Sequence, residues 1–261
     1  MLRAFSTAAT GMTGQQMMVD VIANNLANVN TTGFKRSQIN FQDLLYVTLS
    51  EPGTEVASGI NSPSGTEIGS GVRAASTIKV FTLGELENTA RPLDIAIAGD
   101  GFLQVTMPNG DLRYTRDGSL QLNANGELVT TSGYAIEPAI SVPTDAVSVS
   151  IEKDGGVNVT DSSGTQSVVG TVQLTRFPNP SGLSNEGNNL LSETKASGTP
   201  TTGTPGENGF GTIQSGFLEK SNVQMVTELV NLITAQRAYE INSRAIRAGD
   251  DMLRTASEIV R

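Results

Sequence analysis

The sequence predicts an α+β protein. A discontinuous, coiled-coil-like helical domain is built from both termini, with an antiparallel β-rich domain and an extended Gly/Pro-containing arm inserted between them. Three patterns predict this: apolar residues at alternating three- and four-residue spacing near the start, a seven-residue repeat near the end, and period-two alternation punctuated by turn dipeptides in the middle. The expected division is a helical assembly domain from residues 1–34 and 217–261, a connecting segment and arm over 35–76, and a β-rich outer domain over 77–216.

The first helix reads Leu2, Phe5, Ala9, Met12, Gln16, Val19, Ala23, Leu26. Gly11 and Gly14 each cost about 1 kcal/mol relative to alanine inside a helix, so this segment is expected to gain its stability from contact. A glycine facing a seam lets backbones approach closely, although a merely tolerated glycine gives the same sequence. The pattern breaks at Asn28-Val29-Asn30-Thr31-Thr32-Gly33, whose short polar side chains compete with helix backbone and whose glycine suits a left-handed cap.

Residues 35–46 form a short amphipathic stretch that reads equally as helix or as extended packing arm. Glu51 to Gly71 is rich in glycine with two prolines, composition suited to an extended hairpin or to a linker. Strands are expected in Leu93–Ala98, Phe102–Val105, Ser119–Asn123, Val147–Ile151 and Val168–Phe177, punctuated by turn chemistry at Gly99-Asp100-Gly101, Pro108-Asn109-Gly110, Asp117-Gly118, Asn125-Gly126 and Asp154-Gly155-Gly156, of which the first reads as a hairpin turn. Asn179 to Gly216, rich in Gly, Pro, Thr and Asn, reads as a long irregular return loop.

Ser221 and Gln224 are spaced as a capping box, which predicts a helix start near Asn222. Met225, Leu232, Tyr239, Ile246, Leu253 and Val260 then recur every seven residues, while Leu229, Gln236, Ser243, Asp250 and Ser257 fill the complementary position. Such a helix would run for roughly 55 Å and is too thinly apolar to stand alone. A helix lying on its own domain would show a similar pattern, but the first helix offers a partner. The candidate assembly interface is therefore Phe5, Met12, Val19 and Leu26 with Met225, Leu229, Leu232, Tyr239, Ile246 and Leu253. Tyr239 is either a core anchor or an exposed contact, and its heptad position favours the anchor. The charges at Arg237, Glu240, Arg244, Arg247, Asp250, Asp251 and Arg254 suit a solvated face with i,i+4 pairs, or bridges between subunits.

Cysteine and histidine are absent, which removes thiol nucleophiles, imidazole bases and the usual zinc sites. The net charge of −9 is unevenly placed: residues 1–36 sum to +2 and 217–261 carry six charges of each sign, so the stretch between holds −11. An acidic body repels phosphate, so nucleic acid is not an expected partner. No run approaches the ~18 apolar residues of a membrane span, and residues 1–10 lack the apolar core of a cleaved secretory signal. The turn at Asp117-Gly118-Ser119-Leu120-Gln121 lacks the ordered acids and closing Glu of a calcium loop. Carboxylates such as Asp94, Asp100 and Glu127 could form a glycosidase pair, yet turn and surface acids account for them equally well. Gly99-Asp100-Gly101 lacks the lysine and following helix of a phosphate loop. No catalytic residue, cofactor or metal site is predicted.

Ile22-Ala23-Asn24-Asn25-Leu26-Ala27-Asn28-Val29-Asn30-Thr31-Thr32-Gly33-Phe34-Lys35 resembles the N-terminal signature of the bacterial flagellar rod and hook proteins. Residues 229–243, Leu229-Val230-Asn231-Leu232 through Asn242-Ser243, resemble that family's C-terminal signature, and Asp100-Gly101-Phe102 with Tyr114-Thr115-Arg116-Asp117-Gly118 fit its middle domain. Residues 41–46 followed by 63–72 are similar to the distal rod members, in which this insertion distinguishes the stiff rod from the flexible hook. The resemblance implies a non-enzymatic subunit of a homo-oligomeric helical tube in the basal body, spanning the periplasm toward the outer membrane and transmitting torque. It implies contacts with other rod proteins, the hook protein and the surrounding rings, and export through the flagellar type III channel without a cleaved signal. A proximal rod or hook component is the nearest alternative, and a secreted β-rich adhesin or glycan hydrolase a more distant one.

Overall fold

The computed structural model describes residues 2–53, 55–57 and 60–259. Contacts divide the chain into a helical unit, residues 1–26, 37–78 and 225–261, and a β unit, residues 27–36 and 79–224. The chain therefore passes between units four times, with boundaries at 26/27, 36/37, 78/79 and 224/225 rather than only where helix gives way to strand.

In the helical unit, α1 spans Leu2–Ala27 and α2 spans Met225–Ile259. α1 stops where the Asn- and Thr-rich segment begins: Thr31 N–H donates to Asn28 O at 3.2 Å, and Gly33 takes φ +66°. α2 begins three residues after the capping-box expectation. The Ser221 hydroxyl accepts the Val223 N–H at 3.3 Å, a bond inside a turn, and Glu228 is the acidic residue of the first helical turn. Val260 lies outside the described residues.

Residues 37–43 settle as strand rather than helix. Ser37, Ile39 and Phe41 are half-buried and alternate with exposed Gln38 and Asn40, and Ser37–Asp43 pairs with Val72–Lys79. Beyond them the arm is an antiparallel hairpin, Val47–Ser50 against Thr66–Ile68, with Glu55–Ala57 against Ile60–Asn61 near its tip. Thr54, Ser58 and Gly59 of the arm lie outside the described residues.

Every described strand pair in the β unit is antiparallel. A nine-stranded sheet is ordered Leu120–Leu122, Leu128–Thr130, Ala135–Glu137, Phe102–Thr106, Leu112–Thr115, Leu190–Ser192, Ser184–Gly187, with Leu174–Arg176 also on Phe102–Thr106 and Thr201–Gly203 beside it. Ala146–Ile151, Gly156–Asp161 and Gln166–Thr171 form a three-stranded sheet. One core cluster includes Ile95, Leu103, Val105, Ile136, Val157, Leu174 and Ile213, and a second gathers Phe102, Tyr114, Phe177, Leu183 and Leu191. In the second, Tyr114 meets Phe177 edge-on with ring centroids 4.7 Å apart.

Three expectations change here. Gly99-Asp100-Gly101 is not a hairpin turn: Ile95–Ala98 pairs with Thr212–Ser215, while Phe102–Thr106 belongs to the large sheet. Val168–Phe177 divides into Gln166–Thr171 and Leu174–Arg176, which serve different sheets. Residues 179–216 are not an irregular loop. They supply four short strands and bury Leu190, Leu191 and Ile213, helped by an Asn188-Asn189 hairpin turn with φ of +51° and +60°.

Candidate functional site

The two terminal helices meet through small residues. A Cβ on Gly249 would lie 2.7 Å from Phe5 Cζ, and one on Gly11 would lie 2.9 Å from Asn242 Nδ2. Advancing from residue 5 to 11 on α1 thus moves back from 249 to 242 on α2, so the helices run antiparallel. Gly14 is buried, and its absent Cβ leaves room for the Phe41 ring at 3.2 Å. These glycines are seats for neighbouring side chains, which explains their place inside helices despite the propensity cost.

The buried face of α2 repeats every seven residues, but on Glu228, Ala235, Asn242 and Gly249, of which Asn242 is half-buried and the others buried. Periodicity in large apolar residues missed this face because alanine and glycine carry little hydrophobic signal. Among the residues chosen from sequence, Phe5, Met12, Val19, Leu26, Leu232, Ile246 and Leu253 are half-buried. Met225, Leu229 and Tyr239 are not brought in: they remain 48%, 40% and 44% exposed, so Tyr239 is not an anchor within this chain. At about 100° per residue, Val226, Val230, Ile233 and Ile241 fall within about 80° of one another on the side opposite Ala235, and all four are exposed. Arg244–Glu240 at 3.9 Å and Arg254–Asp250 at 3.1 Å are exposed i,i+4 pairs, as expected of a solvated face.

The second concentration of structure lies in the β unit, where the residues following α1 and preceding α2 are fastened. Glu219 is buried and shared by two buried cations: Lys35 Nζ contacts Oε1, and Arg116 Nε donates to Oε2 at 3.0 Å. Gly84 N–H also donates to Oε1, at 2.9 Å. Lys35 Nζ donates to Thr82 O at 2.6 Å. Arg116 uses its remaining donors on the carbonyls of Ile97, Gly99 and Gly101 at 3.2, 2.9 and 3.1 Å, which holds the double-glycine bend in place. Burial pushes the Glu219 carboxyl up, but Arg116 and Lys35 beside it and the Gly84 N–H outweigh that and hold it below the usual range. The Lys35 pKa is also lowered, which for an ammonium disfavours the charged form: burial and the nearby Arg116 lower it more than Glu219 raises it. One carboxylate thus serves two cations, and Lys35 carries the uncompensated share.

The asparagine- and glycine-rich signature has a structural role at each position that the geometry reaches. Asn25 is buried, and its side chain exchanges two bonds with the Ser37 backbone, at 2.9 and 2.8 Å. Thr32 Oγ1 donates to Asp117 at 3.0 Å. Gly33 N–H donates to Glu219 O at 2.8 Å, and a Cβ there would stand 2.8 Å from Arg116 C. Asn222 Oδ1 accepts Arg36 N–H at 2.8 Å while its Nδ2 donates to Val80 O at 2.8 Å.

Three family models match the chain, one over α1 and the residues that follow it, one within the β unit and one over α2 and the residues that precede it. These are flagella basal body rod protein over residues 5–35, flagellar hook protein FlgE/F/G D1 domain over 96–159, and flagellar basal body rod FlgEFG protein C-terminal over 214–259. The chain belongs to this flagellar hook and basal-body rod family. Within it, similarity extends end to end to proteins named flagellar basal-body rod protein FlgG. That of Buchnera aphidicola subsp. Schizaphis graminum is 47% identical over 260 residues, 99% of this chain and 100% of the relative. That of Borreliella burgdorferi is 45% identical over 264 residues, covering 100% of both, and that of Caulobacter vibrioides 44% over 260 residues, covering 99% of both.

Proposed function

We propose that this chain is a structural subunit of the flagellar distal rod, self-assembling into a helical tube that transmits torque from motor to hook. The observation that carries this reading is the outer face of α2. Val226, Val230, Ile233 and Ile241 are 75%, 57%, 51% and 65% exposed, opposite a face already committed to α1. A helix with one face packed internally through small residues and a second, apolar face left open suits a subunit that packs against copies of itself. A repeated contact of this kind that does not close generates a filament. The assembly interface on this reading combines the open face with Met225, Leu229 and Tyr239. Phe5, Met12, Val19, Leu26, Leu232, Ile246 and Leu253, half-buried already, contribute what area they retain.

Family membership supports partners among the other rod and hook proteins, with the surrounding rings as further neighbours, and a place in the basal body across the periplasm. Export through the flagellar channel without a cleaved signal belongs to the same reading. The acidic middle of the chain faces outward on this account. Electron microscopy of the concentrated protein tests it: straight tubular filaments are expected, and monodisperse particles at every concentration, in the presence of preformed rod ends, would overturn it.

A further inference from the structure

We propose that Glu219 is the joint of a two-ended latch: it fastens the segment following α1 and the segment preceding α2 to the β unit as a pair, so that neither is held without the other. Lys35 belongs to the first connector, residues 27–36, and Glu219 to the second, 184 residues later. Both side chains are buried, at 2% and 1% exposure, together with Arg116 of the β unit at 4%. Removing Glu219 leaves two buried cations without a counterion, and such a loss is far more damaging than the net worth of the intact cluster, whereas removing one cation leaves the carboxylate still paired. An apolar plug of similar volume would hold the connectors independently. A shared carboxylate makes them conditional on each other.

Backbone bonds run in parallel with the charges. Gly33 N–H donates to Glu219 O, Arg36 N–H to Asn222 Oδ1, and Val80 N–H to Arg36 O at 3.0 Å. Lys220 N–H donates to Glu85 O at 2.8 Å, so residues 80–85 form the third segment of the joint. Each connector therefore contacts the other as well as the β unit. The latch is a property of the single chain and stands whether or not the chain forms a tube.

Hydrogen exchange of the full chain, followed by mass spectrometry, tests the coupling. In Glu219→Gln, which leaves Lys35 and Arg116 facing a neutral amide, residues 27–36, 80–85 and 217–222 are expected to lose protection together, by about tenfold or more, while residues 146–161 of the three-stranded sheet stay as they were. Asn222→Ala leaves all three charges in place and removes only neutral bonds. It is expected to give the same joint pattern at smaller amplitude, which keeps the test open if Glu219→Gln unfolds the unit. Loss of protection confined to 217–222, in Glu219→Gln or in Asn222→Ala, would overturn the proposal, since each connector would then be held on its own.

Discussion

Replacing Ile233 by Asp separates the two faces of α2. Ile233 is 51% exposed and lies on the side away from Ala235, which is buried. Full burial of an isoleucine is worth about 1.5–3 kcal/mol, so roughly half of that remains available to a neighbouring subunit. A carboxylate forced into the same contact adds a desolvation cost of about 1–3 kcal/mol. The total of about 2–4 kcal/mol corresponds to between about one and a half and three orders of magnitude in an association constant. Sedimentation across a concentration series should therefore show the critical concentration of Ile233→Asp rising by at least about 30-fold, with monomer melting shifted little because the substituted site faces solvent. Arg247→Ala on an exposed part of the same helix is expected to change it by less than about fivefold. Near-normal assembly of Ile233→Asp, or equal effects from both substitutions, would refute the assignment of the open face.

Gly249→Val places side-chain atoms where the Phe5 ring already lies and should destabilise the helix pair by about 1–3 kcal/mol, read as lower helicity on heating in circular dichroism. Gly33→Ala meets both a φ of +66° and the Arg116 backbone, and should lower the melting temperature of the β unit while leaving α1 and α2 helical. Glu219 has a folded-state pKa below its unfolded value, so its contribution is complete above the unfolded value and disappears as pH falls through the folded one. Melting temperature should consequently drop on acidification below about pH 4, and Glu219→Gln, less stable at neutral pH, should show a shallower acid dependence. Lys35 acts in the opposite sense: its lowered pKa makes the charged form a cost that is relieved only as pH rises through that lowered value toward 10.5.

Much of the fold was legible because it rests on local signals. Pro108-Asn109-Gly110, Asn125-Gly126 and Asp154-Gly155 each sit between strands that do pair with each other. Gly99-Asp100-Gly101 carries the same kind of signal yet joins strands that do not pair, because a glycine-rich bend says that the chain turns without saying which strands it joins. There the deciding residue is Arg116, whose three bonds to the bend come from outside it. The buried cluster was illegible for a related reason. Lys35, Arg116 and Glu219 look like ordinary surface charges in sequence, and only folding brings residues 184 and 103 positions apart onto one carboxylate. Lys35 had one pointer, its place at the end of the flagellar N-terminal signature. The composition of the return stretch 179–216 is that of a loop, yet Leu190, Leu191 and Ile213 inside it carry the burial that orders it.

The small-residue face of α2 has a consequence for order in the unassembled chain. Ala235 and Gly249 give close approach but bury little apolar area, while the residues able to bury more, Val226, Val230, Ile233 and Ile241, point away. A 35-residue helix that relies on such a face has most of its ordering cost set against weak contacts. The β unit is different, with Leu103, Val105, Ile136, Val172, Leu174 and Ile213 each 0% exposed. In dilute monomer the amides of residues 5–25 and 228–255 should therefore exchange at least about tenfold faster than those of 102–106 and 174–176, and should become protected once filaments form. Exchange mass spectrometry below and above the critical concentration measures both. Helices as strongly protected in the monomer as the central strands would mean that the internal face suffices by itself, and the open face of α2 would then lose its claim to complete the fold.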